Sequence, residues 1–137
     1  MGAITAIPDI LQVAVGDYKS FRIQAASAIS RGTVLSLDAN GRAIPVVITG
    51  AAPKSVIGVA LDSGAQYDYI TVVYKGVVNV ANGDDATAIA IGAEVIPGGY
   101  VGAVIAATAF TNTNIIGQVL DVAIAGGSYG RILLKLR

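Results

Sequence analysis

The feature that most restricts how this chain can fold is an internal repeat. Ala28-Ile29-Ser30-Arg31-Gly32-Thr33-Val34-Leu35 aligns with Ala88-Ile89-Ala90-Ile91-Gly92-Ala93-Glu94-Val95 sixty positions on, and Val56-Ile57-Gly58-Val59-Ala60-Leu61-Asp62 aligns with Ile115-Ile116-Gly117-Gln118-Val119-Leu120-Asp121 fifty-nine positions on. Each copy reads strand, turn, strand, loop, Ile-Gly strand, turn, strand, closing on Ile70 to Lys75 and on Gly130 to Lys135. A β unit this small cannot bury its own apolar face, so the two copies are expected to share one barrel or sandwich core. The length of 137 residues leaves room for one such domain.

Side-chain periodicity supports strands over helices. In Thr87-Ala88-Ile89-Ala90-Ile91 the larger side chains fall on alternate positions, the period of a pleated strand. Ile70-Thr71-Val72-Val73-Tyr74, Val77-Val78-Asn79-Val80 and Arg131-Ile132-Leu133-Leu134-Lys135 are β-branched or aliphatic runs bounded by glycine. Thr33 to Leu37 and Arg42 to Ile48 flank Asp38-Ala39-Asn40-Gly41, which reads as a hairpin whose Asn40-Gly41 supplies positive φ. Pro45 belongs on an edge or a bulge because it cannot donate to a ladder. Only Val104 to Phe110 and the stretch before Pro53 leave room for a helical turn. Gly58 and Gly117 recur at one point of the repeat, where a glycine within a strand marks a bulge or a close backbone approach, in preference to a ligand contact. The expected organisation is an N-terminal arm over 1–20 and a β domain over 21–137, with copies at about 25–76 and 85–137.

Composition removes whole classes of function. There is no Cys or His, so a disulfide framework, a zinc finger, a thiol nucleophile and a Ser-His-Asp triad are impossible. Nine basic residues balance nine acidic ones and stand singly along the sequence, which does not suit nucleic-acid binding. Charged residues are 13% of the chain, half the usual fraction of about 25% for a soluble domain. Hydrophobic residues are 54% and the mean hydropathy is +0.69, so much of the outer surface is expected to be covered by other protein. A membrane span is not expected: the apolar stretch Ala86 to Phe110 is interrupted by Glu94 and by Pro97-Gly98-Gly99. The N-terminus has no basic segment for a signal peptide, and Ala6 stands where myristoylation needs Ser or Thr. These features point to a soluble, untargeted intracellular product with no cofactor.

The remaining candidates for chemistry are weak. Asp84-Asp85 after Asn82-Gly83 lacks the alternating ligands of a calcium loop and reads as a solvated turn. Asp62 and Asp121 share a repeat position, where a carboxylate at a strand end caps backbone N–H groups better than it forms a catalytic pair. Pro97-Gly98-Gly99 and Gly126-Gly127 lack the spacing of a phosphate cradle, and Lys54 and Lys75 have no motif around them. Tyr67, Tyr69, Tyr74, Tyr100 and Tyr129 are expected as half-buried strand residues; exposed together, they would form a platform for sugars or bases, which keeps a carbohydrate-binding β-domain open. An enzyme is the least supported class.

The order and spacing of these motifs resemble the tailed-bacteriophage head decoration, or cement, proteins. The likeness rests on Ile29 to Leu35, Val56 to Leu61 and Ile70 to Val77, and continues through Thr111 to Asp121 and Arg131 to Leu134. Roughly residues 20 to 137 are covered, by hydrophobic-and-glycine patterns and not by catalytic signatures. The resemblance implies a mainly β, barrel-like or β-tulip-like domain. It further implies a homotrimer on the outer surface of the capsid in the virion, made in the host cytoplasm, binding the major capsid protein and cementing neighbouring subunits of the expanded shell. No membrane or nucleic-acid partner is implied. In such proteins an N-terminal arm often joins the contact, which on this chain makes Ile4, Ile7, Pro8, Ile10 and Leu11 the candidate capsid contacts. A tail or fibre component with the same kind of barrel is the alternative.

Overall fold

The β-branched runs pair along their length because each leaves a row of N–H and C=O groups that only a neighbouring strand can satisfy. The computed structural model describes residues 15–46, 56–98, 101–107, 115–120 and 123–136. The strands are β1 (Val15–Gln24), β2 (Val34–Leu37), β3 (Ala43–Pro45), β4 (Gly58–Ala60), β5 (Tyr69–Ala81), β6 (Glu94–Pro97), β7 (Val104–Ala106), β8 (Gly117–Val119) and β9 (Tyr129–Lys135). They form one curled sheet in the order β3-β2-β4-β5-β9-β8-β6-β7, with β1 lying on β5 and every strand pair antiparallel. The fold is mainly β and barrel-like, as the periodicity requires. There is no helix among the described residues, and Val104–Ala106 is a strand where a helical turn was a possibility.

The repeat is visible hydrogen bond by hydrogen bond. Ala60 N donates to Thr33 O and Val119 N to Ala93 O, both at 2.9 Å; Gly32 N donates to Ala60 O at 2.8 Å and Gly92 N to Val119 O at 2.9 Å. Parallel bridges close the curl of each half at matching points, Ala25 to Ala43 and Asn82 to Val104. The copies are not separate in the chain, however. β5 runs thirteen residues straight through Lys75-Gly76, joining two runs that the sequence reads as distinct strands. Its first half closes copy one against β1, with Gln24 opposite Tyr69; its second half opens copy two against β9, with Ala81 opposite Tyr129. Residues 77–81 therefore serve copy two, and β1 is their counterpart. The sheet also takes in residues 15–20, the last six positions given to the arm.

Two clusters make the core. Ala25, Ile29, Leu35, Ala43, Ala60, Ile70 and Val72 fill copy one, with Phe21, Ile23 and Ile57 packed against them. The other contains Val78, Val80, Ile89, Val95, Val104, Val119, Ile124, Ile132 and Leu134 of copy two, together with Val34, Val46, Val59 and Val73 from copy one. Those four valines are fully buried. At about 1.5–3 kcal/mol for each buried side chain, they join the halves by several kcal/mol. The joint also has backbone contacts: Val34 N donates to Gly102 O at 2.8 Å, and Gly102 N to Val46 O at 3.0 Å.

Local sequence and structure differ in one instructive place. Thr87 to Ile91 alternates like a strand, yet it makes a single bridge, Ile89 to Ile124. Copy one does the same, with the single bridge Ile29 to Gly64 and Ala25 in place of Asn82, so the shared backbone path of the repeat sets it; in copy two the fully buried Asn82 braces the segment. Its Nδ2 donates to Thr87 O at 2.9 Å and Ile124 O at 3.1 Å, while its Oδ1 accepts from Asp84 N at 2.9 Å. The hairpin is where the sequence puts it: Leu35 faces Pro45, β3 is an edge strand, and φ at Gly41 is +78°. Asp38 Oδ1 braces that turn by accepting from Asn40 N and Arg42 N, each at 2.8 Å.

Gly58 and Gly117 are close backbone approaches. A methyl group on Gly58 would fall on the Val73 carbonyl oxygen, and one on Gly117 would lie 2.5 Å from the carbonyl oxygen of Leu133, its repeat counterpart. Gly117→Ala is therefore expected to cost about 3 kcal/mol by forcing β8 away from β9. Gly41→Ala, where positive φ is the sole penalty because nothing lies within 4 Å, is expected to cost about 1 kcal/mol. Denaturant unfolding of both variants measures the difference; equal losses would remove the close-approach explanation.

Candidate interaction surface

The aspartates serve the backbone. Asp62 Oδ1 accepts from Thr71 N at 2.9 Å, so the strand-end carboxylate ties β4 to β5, and Asp84 Oδ1 accepts from Ala86 N at 2.9 Å within its own turn. Among the described residues no group of three or more His, Cys, Asp or Glu side chains could hold a metal ion, and no helix is long and apolar enough to cross a membrane. The candidate capsid contacts Ile4, Ile7, Pro8, Ile10 and Leu11 lie outside the described residues, as do Lys54, Tyr100 and Asp121.

The tyrosines depart from the expectation of half-burial. Tyr129 is half-buried, but Tyr67 is 55% exposed and Tyr69 60% exposed, and Tyr74, tilted against Phe21 at 5.8 Å between ring centroids, is exposed as well. Tyr67 also has φ +71°, the one positive value at a non-glycine residue among those described. That conformation presses Cβ against the following carbonyl and costs about 1–2 kcal/mol. The Arg42 guanidinium lies over the Tyr67 ring, 5.3 Å from the centroid. Arg42 Nε donates to Gln24 Oε1 at 3.0 Å and Gln24 Nε2 donates to Tyr67 O at 3.1 Å, closing a loop of contacts around the ring. Beside it Arg22 donates through Nη2 to Tyr69 O at 2.7 Å and through Nη1 to Thr71 Oγ1 at 3.3 Å. The result is two exposed tyrosines, Tyr67 and Tyr69, with Arg42, Gln24 and Arg22 bonded to or lying over them at the end of β1 and the start of β5.

Two further surfaces arise from strand register. Lys19 faces Lys75, and Lys75 faces Lys135, so three lysines that stand singly in the sequence share one row across β1, β5 and β9. Like charges opposite one another disfavour pairing, and nothing in the fold accounts for the row. The other surface is the face of copy two that corresponds to the joint. Where copy one buries Val34, Val59 and Val73, copy two has an exposed Glu94 and half-buried Gln118 and Leu133 at the equivalent pairings. Gln118 Nε2 is occupied there by Gly92 O at 2.9 Å. A face that is apolar inside the repeat and polar at its end is how tandem units are capped against further stacking.

No protein-family model matches the sequence, and no curated protein does. Among solved structures the chain is similar to the N base of head fiber gp8.5 in bacteriophage phi29, with a TM-score of 0.57 at 13% identity, covering 87% of this chain and 95% of that one. The likeness is one of fold.

Removing the cap is expected to expose the stacking surface. Glu94→Val combined with Gln118→Val should produce concentration-dependent assemblies larger than the parent species in sedimentation velocity, because a copy-one surface of a second chain can then seat on the new apolar face. An unchanged sedimentation coefficient at high concentration would show that these polar side chains do not limit stacking.

Proposed function

We propose that this chain is a non-enzymatic structural component of a phage virion, docking as a homotrimer on the outside of the expanded head and bridging neighbouring shell subunits. The observation that supports it most is the fold: a phage head-fibre base shares it across nearly the whole of both chains. The decoration-protein resemblance in the repeat motifs points the same way from independent residues. A clamp that binds the assembled lattice and not the free shell subunit stabilises the lattice by mass action alone. Three equivalent attachments on one trimer raise the effective concentration of each after the first engages, so contacts of a few kcal/mol each, an order-of-magnitude figure, sum to slow release. Neither effect needs a cofactor or a chemical step.

Purified protein mixed with expanded, undecorated heads is expected to add density at local three-fold positions in electron cryomicroscopy, and light scattering is expected to give a mass near three chains. Bare shells at micromolar protein would overturn the head-binding reading. The fibre-base neighbour favours one alternative, a base from which a longer fibre projects; density at sparse, unique positions in place of a regular lattice would select it. Deletion of residues 1–14, which leaves β1 whole, is expected to weaken head binding at least tenfold with no change in the unfolding midpoint. Full-strength binding by the truncated chain would remove the arm from the contact.

A further inference from the structure

The two copies make one turn twice. Asp68 N donates to Ala65 O at 3.1 Å, and Ser128 N donates to Ala125 O at the same distance sixty residues on. The third residue of each turn has the same left-handed backbone, φ +71° at Tyr67 and +70° at Gly127. Glycine takes this conformation without strain and tyrosine does not. The second copy therefore states what the turn needs for folding, and the first copy keeps a strained residue there instead. Burial does not explain it, because more than half of the Tyr67 side chain is open to solvent.

The residues that hold the ring are also private to copy one. Register equates Gln24 with Ala81 and Arg22 with Asn79, and the bridges place Arg42 against Ala103 in the residue before each third strand. The backbone is the same in both halves, and Tyr129 repeats Tyr69 while Arg131 faces Asn79 where Arg22 faces Thr71, but the cation over the Tyr67 ring and the amide that ties it occur in copy one alone. A strained, exposed aromatic with a dedicated support is a site built for something outside the chain.

The geometry points to a glycan-binding face formed by Tyr67 and Tyr69 with Arg42, Gln24 and Arg22. The flat faces of the two rings suit the C–H face of a pyranose, which is apolar, and the guanidinium and amide groups at their rim suit its hydroxyls or a ring carboxylate. Arg42 spends its Nε on Gln24 and lies over one face of the Tyr67 ring, which leaves the opposite face for a sugar. The size agrees. Two rings and three polar side chains match one or two sugar units, while Ser27, Ala28 and Gln66 around them are exposed and small or polar, so the broad apolar centre of a protein interface of about 800 Å² per partner is missing. Single-stranded nucleic acid fits less well, since the chain has no net positive charge.

The inference does not depend on the virion role, and one variant separates the two. Fluorescently labelled full-length chain on an array of immobilised neutral, uronic-acid and sialylated oligosaccharides is expected to bind a subset, with titration calorimetry giving the affinity for the best of them. Tyr67→Gly is expected to reduce that binding at least tenfold, to raise Tm by about 3 °C because the turn strain is relieved, and to leave head binding intact. Tyr69→Ala is expected to weaken the same sugar without raising Tm. An array without signal, full binding by Tyr67→Gly, or a lowered Tm for that variant would each overturn the site. Loss of head binding in Tyr67→Gly, with no sugar bound by the parent, would assign the face to a protein partner and overturn the glycan assignment.

Discussion

Everything in this fold depends on β5 serving two half-domains at once. A thirteen-residue strand has two hydrogen-bonding edges along its whole length, and here one edge takes β1 while the other takes β4 and then β9. Between residues 72 and 77 three different partners meet the two edges, β1 with a shifted register around Lys19, so neither copy can separate without breaking the ladder of the other. The valines on the back of copy one then complete the core of copy two, which is why a unit with three-residue strands such as β3, β4, β7 and β8 is stable at all. The glycines at 58 and 117 follow from the same demand. Short strands must press close to β5 and β9 to seal a narrow interior, and any side chain would hold them off.

Repetition then leaves one copy free to differ wherever the other already meets the folding requirement. The outer face of copy two carries Glu94 and Gln118 where copy one buries Val34 and Val59. The turn at Gly127 stays at the unstrained residue while its twin tolerates Tyr67. Ala25 in copy one is small, and its counterpart Asn82 is a buried amide bonded to three segments of backbone, so the interiors have diverged as well as the surfaces. Comparison of the copies thus divides residues by physical role within one molecule, without any second protein to consult.

How much of this the sequence discloses depends on the range of the interaction. The repeat, the Asp38-to-Gly41 hairpin, the edge position of Pro45 and the close approach at both Ile-Gly strands are legible because periodicity and glycine placement are local. The continuity of β5 is not: Gly76 looks like a terminator, and its pairing with Leu134 of β9 carries the strand through it. Thr87 to Ile91 has strand alternation but makes one bridge, as its counterpart around Ile29 does, because the curl of each half carries it away from a neighbouring strand. The lysine row was equally hidden, and the tyrosines, legible as a platform only if exposed, gave no local sign that Tyr67, Tyr69 and Tyr74 would be. Lys19, Lys75 and Lys135 are far apart in sequence and become neighbours through register alone. The proposed capsid contacts near the N-terminus rest on a resemblance and on no pattern that the described strands could test.

The low charge itself acquires a different meaning in three dimensions. A chain with 13% charged residues suggests a surface hidden beneath other proteins, yet the described residues expose few large apolar side chains, and three of the six are tyrosines. The outer surface is made instead of small residues such as Ser27, Ala28, Ala65 and Ala90, whose modest area explains how high mean hydropathy and a solvent-facing sheet coexist. The bulky aliphatics have been taken into the two clusters, where they are needed to hold very short strands together. Apolar docking on a shell then has little to draw on in the sheet. Under the proposed virion role, apolar contact with a shell would have to come from elsewhere in the sequence, where Ile4, Ile7, Ile10 and Leu11 are the candidates.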